Sequence, residues 1–300
     1  MASKKIVIAV VLIALFLVSY SLSKFFEVNL DNSDKIAIIP IEGIIVPQET
    51  TLSFYQKGIS SSTIIEFLNT AVKSENVKGI ILEINSPGGT VVASKEIADM
   101  VKNSPKPVVA LIKDVGASGA YWIASAADKI VADPLSITGS IGVIASYLEF
   151  SKLFEEYGIT YQSLKAGKFK DIGSPYKELT PEEQAVLQKK LNKIHDAFIQ
   201  EVANNRNLSK ETVQALATGI YFLGEEAYDN KLVDELGGKD LAVNITKELA
   251  HITDARLITY EKERSIVDVL SSLSMSAFYS LGRGMGESKI VSNQYGLPYA

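Results

Sequence analysis

The sequence has 300 residues, of which 47% are hydrophobic, enough for one sizeable core with appendages. Its net charge of -5 and its scattered Lys and Arg residues exclude the basic surface that a nucleic-acid partner requires. Cysteine is absent, which excludes disulfides, a thiol nucleophile and thiolate metal sites. We predict no metal and no cofactor.

The N-terminus predicts a transmembrane helix. Lys4 and Lys5 precede an uninterrupted apolar run at 6–18 that continues to residue 22, about the length that spans a hydrocarbon core of about 30 Å. Lysines before the run and acidic residues after it predict a cytoplasmic N-terminus with the remaining chain outside. A cleavable signal peptide, with small residues Ser19 and Ser21 near the cleavage site, is the alternative.

From residue 35 onward, apolar runs alternate with helical patterns. We predict strands at 35–45, 79–84, 108–112 and 129–132, and helices at 62–73, 92–103 and near 121–127. Strands that alternate with crossing helices indicate an α/β domain with a largely parallel sheet. The carboxyl ends of such strands usually carry the functional site.

Helices dominate the sequence that follows. Thr180, Pro181 and Glu183 form the capping-box pattern that starts a helix running to about residue 204, and further helices are predicted near 210–217 and ending near 250. We therefore divide the chain into an N-terminal anchor, a catalytic domain and a C-terminal extension, at 1–28, 29–250 and 251–300. Within the extension, apolar residues at helical spacing predict an amphipathic segment for a membrane, a partner or its own domain, followed by a flexible tail, at 265–281 and 282–300.

Ser118 is the best candidate for a nucleophile. It lies among Gly and Ala residues, directly after a predicted buried strand and at the start of a helix. Helix N–H groups beside such a serine are unpaired, and small neighbours let a substrate backbone approach. The same small residues could instead serve only close packing of a helix on the sheet.

A second loop could supply hydrogen-bond donors to the same site. The segment 85–89 ends another apolar strand with a Pro-Gly turn, and its glycines let backbone N–H groups face outward. Taken alone, this is also the pattern of a plain turn. Its value lies in its place at the end of a neighbouring strand, because two such loops can converge on one carbonyl group.

The general base is harder to assign. His195 lies within a capped helix and His251 follows the last helix, so both are interpreted as structural. The segment 165–175 gathers Lys165, Lys168 and Lys170 in an otherwise apolar context. A lysine acts as a base only when its pKa falls from about 10.4 toward neutrality, which requires burial. Composition does not decide which lysine that is.

Several short motifs occur together in one order and spacing. They are Asn-Ser-Pro-Gly-Gly at 85–89, Ala-Ser-Gly at 117–119, Ala-Ala-Asp-Lys-Ile at 126–130, Thr-Gly-Ser-Ile-Gly-Val at 138–143 and Gly-Lys-Phe-Lys-Asp-Ile-Gly-Ser-Pro at 167–175. Over about 35–250 the chain thereby resembles the signal peptide peptidase A group of serine proteases, peptidase family S49, in its short single-repeat form. The resemblance implies an α/β fold of the ClpP/crotonase type, with repeated ββα units and a C-terminal helical region.

The resemblance also implies a role for each site residue. Ser118 is the nucleophile, Lys170 is the general base, and Ser140 orients the lysine amine. The N–H groups of Gly88, Gly89 and Ser118 form the oxyanion hole. Thr90 departs from the pattern, since many relatives carry a third glycine there.

For the whole protein, the resemblance implies peptide substrates, namely remnant signal peptides and other apolar segments. It further implies the cell membrane as location and a ring-shaped homo-oligomer, with an octamer as the expected size, in which serine and lysine come from adjacent protomers. We retain two alternatives: a crotonase-like acyl-CoA enzyme, and a non-catalytic or stomatin-associated membrane protein of the same fold.

Overall fold

The computed structural model describes residues 2–30, 33–48, 51–53 and 56–261. Residues 1–260 form one compact unit, and residues 261–300 form a second, of which only Glu261 is described. The predicted amphipathic segment at 265–281 and the tail at 282–300 lie outside the described residues.

Helices and strands alternate along the described chain. The helices are α1 (Ala2–Leu30), α2 (Ser61–Lys73), α3 (Val91–Lys102), α4 (Gly119–Ser125), α5 (Ser151–Glu156), α6 (Pro181–Arg206), α7 (Lys210–Leu216), α8 (Gly224–Asp229) and α9 (Lys239–Leu249). The strands are β1 (Lys35–Glu42), β2 (Ile44–Val46), β3 (Thr51–Ser53), β4 (Gln56–Ser60), β5 (Val77–Ser86), β6 (Val108–Ala117), β7 (Lys129–Ala132), β8 (Ile137–Gly139), β9 (Tyr221–Leu223), β10 (Glu235–Leu236) and β11 (Arg256–Thr259).

The main sheet is largely parallel, as predicted. Its strands follow the order β10-β7-β6-β5-β1-β11, and every neighbouring pair in that order is parallel. The short strand β8 continues the pairing beside the end of β6 and pairs antiparallel with β9. A small second sheet has the order β2-β4-β3.

Both faces of the main sheet are buried, which explains why its strands are continuous apolar runs. Alternate residues of β1 point to opposite faces: Ile36 and Ile38 belong to the apolar cluster that Ala242 of α9 joins. Ile39 and Ile41 belong to a larger cluster on the other face, which includes the buried residues of α2, α3, α4 and α6.

The predicted elements are found with small shifts at their ends. Gly43, at φ +78, separates β1 from β2 and divides the predicted strand at 35–45. Strand β6 extends five residues beyond its predicted end at 112, so that it reaches Ala117, immediately before Ser118. Strand β11 pairs with β1 and lies beyond the predicted domain boundary at residue 250.

Helix α1 covers the segment predicted to be a transmembrane helix. Within the part of the chain that the structure describes, no helix is both long enough and apolar enough to cross a membrane. The transmembrane helix is therefore not shown by the structure.

Candidate active site

Ser118 is held in a strained backbone conformation between a strand and a helix. Its φ of 53° and ψ of -123° place it between β6 and α4, in a region that non-glycine residues rarely adopt and that costs about 1–3 kcal/mol. Its neighbours Ala117 and Gly119 are buried, while Ser118 itself is half-buried. Such a sharp strand-to-helix turn presents a hydroxyl at the carboxyl edge of a sheet.

The glycine loop after β5 lies directly against Ser118. Gly88, at φ +99, approaches so closely that a Cβ atom on it would lie 3.0 Å from the Ser118 Cβ and 2.7 Å from the Gly119 nitrogen. Only glycine fits at this position without strain. The two loops predicted to converge at one edge of the sheet are therefore in contact.

Strand β2 fixes this loop from the other side. The Ile45 N–H donates to the Gly88 carbonyl at 2.9 Å, and the Thr90 N–H donates to the Ile45 carbonyl at 2.9 Å. A Cβ atom on Gly89 would overlap the carbonyl oxygen of Ile45. Ile45 thus bonds the residues on either side of Gly89. The Gly89 N–H therefore faces away from β2, because successive residues of a strand direct their backbone groups to opposite sides.

The available backbone donors are different from those expected from the sequence. The Ser118 N–H donates to the Gly139 carbonyl at 2.8 Å, and the Gly88 N–H donates to the Ser86 hydroxyl at 3.1 Å. Within the described chain, the N–H groups of Gly89 and Gly119 have no hydrogen-bond acceptor. They lie close together, since a Cβ atom on Gly119 would be 3.3 Å from the Gly89 nitrogen.

The sequence led us to expect Gly88, Gly89 and Ser118 as donors, whereas the N–H groups without an acceptor in the described chain are those of Gly89 and Gly119. Gly119 is the first residue of α4, and the first N–H groups of a helix have no intrahelical acceptor. The sequence alone could not reveal this, because the assignment depends on the residue at which α4 begins. The predicted start near 121 lies two residues too late.

Ser140 follows β8 and is connected to Ser118 through the backbone. Its φ is 49°, its hydroxyl donates to the Gly219 carbonyl at 3.0 Å, and its N–H donates to the Ile220 carbonyl at 3.1 Å. The preceding residue, Gly139, accepts the Ser118 N–H. The hydroxyls predicted to act together therefore belong to neighbouring segments.

Lys170 lies elsewhere, on an arm that we define as residues 142–180. The Lys170 side chain is exposed, and it forms no hydrogen bond or ion pair with the residues that the structure describes. The single chain does not bring its amine into contact with Ser118 or Ser140. Its backbone N–H donates to the Gly167 carbonyl at 3.2 Å within a turn.

Neither histidine contacts Ser118 in the described structure. His195 lies on α6, where its Nε2 is 3.2 Å from the Ile141 carbonyl oxygen. His251 is exposed and follows α9 at φ 55°.

Comparisons with known proteins identify the family of the chain. The sequence profile of the Clp protease family matches residues 50–134, and the profile of peptidase family S49 matches residues 100–253. A Methanocaldococcus jannaschii protein named as a protease is 37% identical over 236 residues, which cover 78% of this chain and 75% of the relative.

Two further relatives carry more specific names. An Enterococcus faecium protein named signal peptide peptidase SppA is 34% identical over 235 residues, 77% of this chain and 68% of the relative. The chloroplastic serine protease SPPA of Arabidopsis thaliana is 32% identical over 250 residues, 81% of this chain and 37% of the relative.

The profile of peptidase family S49 and the relatives named as proteases define the class of this α/β protein, which is a serine peptidase. The chain belongs to peptidase family S49. This membership favours the protease over the acyl-CoA enzyme considered as an alternative.

Proposed function

We propose that the protein is an endopeptidase that cleaves apolar peptides with a serine and a lysine. The neutral amine of Lys170 accepts the proton of the Ser118 hydroxyl while the Ser118 oxygen attacks the scissile carbonyl carbon. The N–H groups of Gly89 and Gly119 bind the resulting oxyanion. Lys170 then protonates the departing amine, and water hydrolyses the acyl-enzyme by the same route.

The observation that carries this proposal is the geometry around Ser118. A half-buried hydroxyl on a strained turn stands beside the Gly88–Gly89 loop, and the N–H groups of Gly89 and Gly119 lack an acceptor in the described chain. Unpaired donors beside a serine are what acyl transfer requires, because they stabilise charge that develops only in the transition state.

Lys170 is supported as the base by contrast with its neighbours. Lys165 pairs with Asp171 at 2.6 Å, Lys168 pairs with Glu182 at 2.6 Å, and Lys177 pairs with Asp171 and Glu183. A lysine held in an ion pair stays protonated and does not serve as a base. Of the lysines between 165 and 177 in the described arm, only Lys170 forms no ion pair.

The arm also favours a dyad built from two copies of the chain. The arm joins α6 near Glu183, whereas α6 contacts α4 further along, where Phe198 stacks on Trp122. These points are separated by roughly 15 residues, about 22 Å along a helix. Lys170 of one copy would therefore reach Ser118 of the next.

Exposed apolar side chains on the arm fit such an assembly. Ile144, Leu148 and Leu164 are 88%, 72% and 104% exposed in the single chain, and an interface between copies would remove this apolar surface from water. Head-to-tail contacts between arms and neighbouring active sites close into a ring when the rotation permits. We propose a ring-shaped homo-oligomer, with an octamer as the expected size.

Signal peptides and other apolar segments at a membrane are the proposed substrates. The name of the Enterococcus faecium relative supports this class. The proposed attachment is a single-pass N-terminal helix with a cytoplasmic N-terminus and an extracytoplasmic catalytic domain. It rests on Lys4 and the following apolar run, whose described side chains between 8 and 18 are largely exposed, not on a membrane span in the structure.

Membrane attachment is tested by fractionation. The full chain should remain in the membrane pellet after alkaline extraction, and a chain lacking residues 2–30 should become extractable. Recovery of the full chain in the soluble fraction would contradict the proposal.

The catalytic proposal is tested by labelling with a serine-directed phosphonylating probe, followed by peptide mapping. Modification should occur at Ser118, and Ser118→Ala should lose both labelling and hydrolysis of an apolar peptide. Lys170→Met should lose hydrolysis while its matched control, Lys168→Met, retains it. Labelling of another serine, or turnover by Ser118→Ala, would refute the assignment.

A further inference from the structure

A chain of ion pairs surrounds the turn that carries Lys170. Asp171 follows Lys170 in the sequence. Its carboxylate accepts a hydrogen bond from the Lys165 amine at 2.6 Å and lies 3.4 Å from the Lys177 amine. The Asp171 side chain is only 11% exposed, although it lies on an arm whose helix α5 has no buried residue. The Asp171 carboxylate thus binds one lysine that precedes the turn and one that follows it.

The second part of the chain connects the turn to α6. The Lys177 amine also pairs with Glu183, whose side chain is 5% exposed. The other Glu183 oxygen accepts the Thr180 N–H at 3.0 Å, and the Glu183 N–H donates to the Thr180 hydroxyl at 3.2 Å. Ion pairs therefore connect Asp171, through Lys177, to Glu183 in the capping box of α6. We call Asp171, Lys177 and Glu183 the brace.

Helix α6 belongs to the core that supports Ser118. Phe198 of α6 stacks on Trp122 of α4, with ring centroids 4.3 Å apart, and α4 begins at the residue after Ser118. The arm, in contrast, is held by the brace and by aromatic contacts such as Phe154 on Tyr176, 5.4 Å apart. The brace therefore connects the turn of Lys170 to α6, alongside the exposed ion pair between Lys168 and Glu182 at 2.6 Å.

We propose that Asp171 is a positioning residue that, through Lys177 and Glu183, fixes the turn from which Lys170 reaches its serine. The inference rests on the proposed role of Lys170 as the base. An amine on a flexible side chain at an exposed turn needs a fixed starting point, since a misplacement of about 1 Å can cost about 100-fold in rate.

Isolated ion pairs on a surface usually contribute little. The brace differs because its two carboxylates are nearly buried and are shared among several donors. The hydrogen bond from Lys165 lowers the pKa of Asp171. The pKa of Glu183 is lowered mainly by the hydrogen bond from Lys177 and further by that from the Thr180 N–H. Both carboxylates are therefore charged at neutral pH.

The test compares Asp171→Asn with Asp171→Glu in the full chain, after active sites are counted by probe labelling. Asp171→Asn should lower kcat about 10- to 100-fold and leave KM within about twofold, because the base is misplaced while the peptide site is intact. Asp171→Glu, which keeps the carboxylate, should retain most of the wild-type kcat.

The outcomes separate this inference from the proposed function. Unchanged kcat in Asp171→Asn, together with inactive Lys170→Met, would overturn the positioning role alone. Active Lys170→Met would overturn the base and the inference together. If Asp171→Asn does not assemble, Lys177→Met decides: wild-type kcat in that variant refutes the brace, and the same selective loss of kcat supports it.

Discussion

The backbone N–H of Ser118 donates to the carbonyl of Gly139 at 2.8 Å. This hydrogen bond connects the strained serine to β8 and to Ser140 beyond it. It also removes the Ser118 N–H from the set of donors available to a substrate. The position of β8 therefore bears directly on the geometry of Ser118, the proposed nucleophile.

Gly139→Ala should impair catalysis by moving β8. Gly139 has φ +70, and a Cβ atom there would lie 2.7 Å from the Phe222 ring. The left-handed backbone alone costs an L-residue about 1–2 kcal/mol, and the ring must also shift. We expect kcat to fall roughly tenfold or more, measured on an apolar fluorogenic peptide.

Gly158→Ala is the matched control for this variant. Gly158 has φ +66, but open space surrounds the position of its Cβ. It should lose only the stability that the left-handed backbone costs, measured by thermal unfolding, and keep kcat. Equal kcat in both variants would show that β8 does not position Ser118.

Gly89→Ala should remove one of the two proposed oxyanion donors. The added methyl group would overlap the Ile45 carbonyl, so the loop must leave β2 and carry the Gly89 N–H away from Ser118. Loss of one donor typically costs about 100- to 1,000-fold in kcat. Gly238→Ala, where a methyl group meets no neighbour, should leave kcat unchanged. A Gly89→Ala protein with wild-type kcat would remove this donor from the mechanism.

Mixing two inactive variants tests whether the dyad joins two copies. Ser118→Ala and Lys170→Met should each be inactive when assembled alone. If the residues come from adjacent copies, co-assembly in equal amounts restores about one quarter of the wild-type activity per site, since both members of a junction must be intact. If each dyad lies within one chain, co-assembly restores nothing.

The stability that Glu183 contributes should be lost at acidic pH and retained at mildly basic pH. Because its pKa is lowered in the folded protein, its contribution is present above the unfolded value of about 4.3 and is lost as pH falls through the folded value. The pKa of Lys177 is raised, mainly by its hydrogen bond to Glu183, so its contribution is lost only when pH rises above about 10.4.

Thermal unfolding of Glu183→Gln across pH measures this dependence. Its Tm should lie below that of the wild type by a constant amount between pH 5.5 and pH 9, about where both groups stay charged, and the difference should shrink below about pH 4. Glu182→Gln, at an exposed neighbouring position, should change Tm little throughout. An equal difference at pH 3.5 would show that charge on Glu183 is not what stabilises the helix start.

The elements that the sequence predicted well are those with local signals. Thr180 and Glu183 form the capping box of α6 as their spacing indicates. Long apolar runs likewise predicted β5 and β6, since both faces of the sheet are covered. Such signals depend on a few neighbouring residues.

What the sequence did not predict depends on distant partners. Strands β8 and β9 have only three residues each and are defined by pairing with each other and with β6, which no periodicity in so short a segment can reveal. The hydrogen bond from Ser118 to Gly139 follows from that pairing. It is the reason that Gly119, rather than Ser118, offers a free N–H.

Strand β1 also determines where a fused label can be tolerated. Lys35 begins the strand at the opposite edge of the sheet from the glycine loop, and Glu42 ends it beside Asn85. At about 3.3 Å per residue these ends are about 23 Å apart. A fluorophore or affinity handle joined just before Lys35 would therefore lie far from Ser118, and immobilisation through that point should leave Ser118 accessible to a peptide.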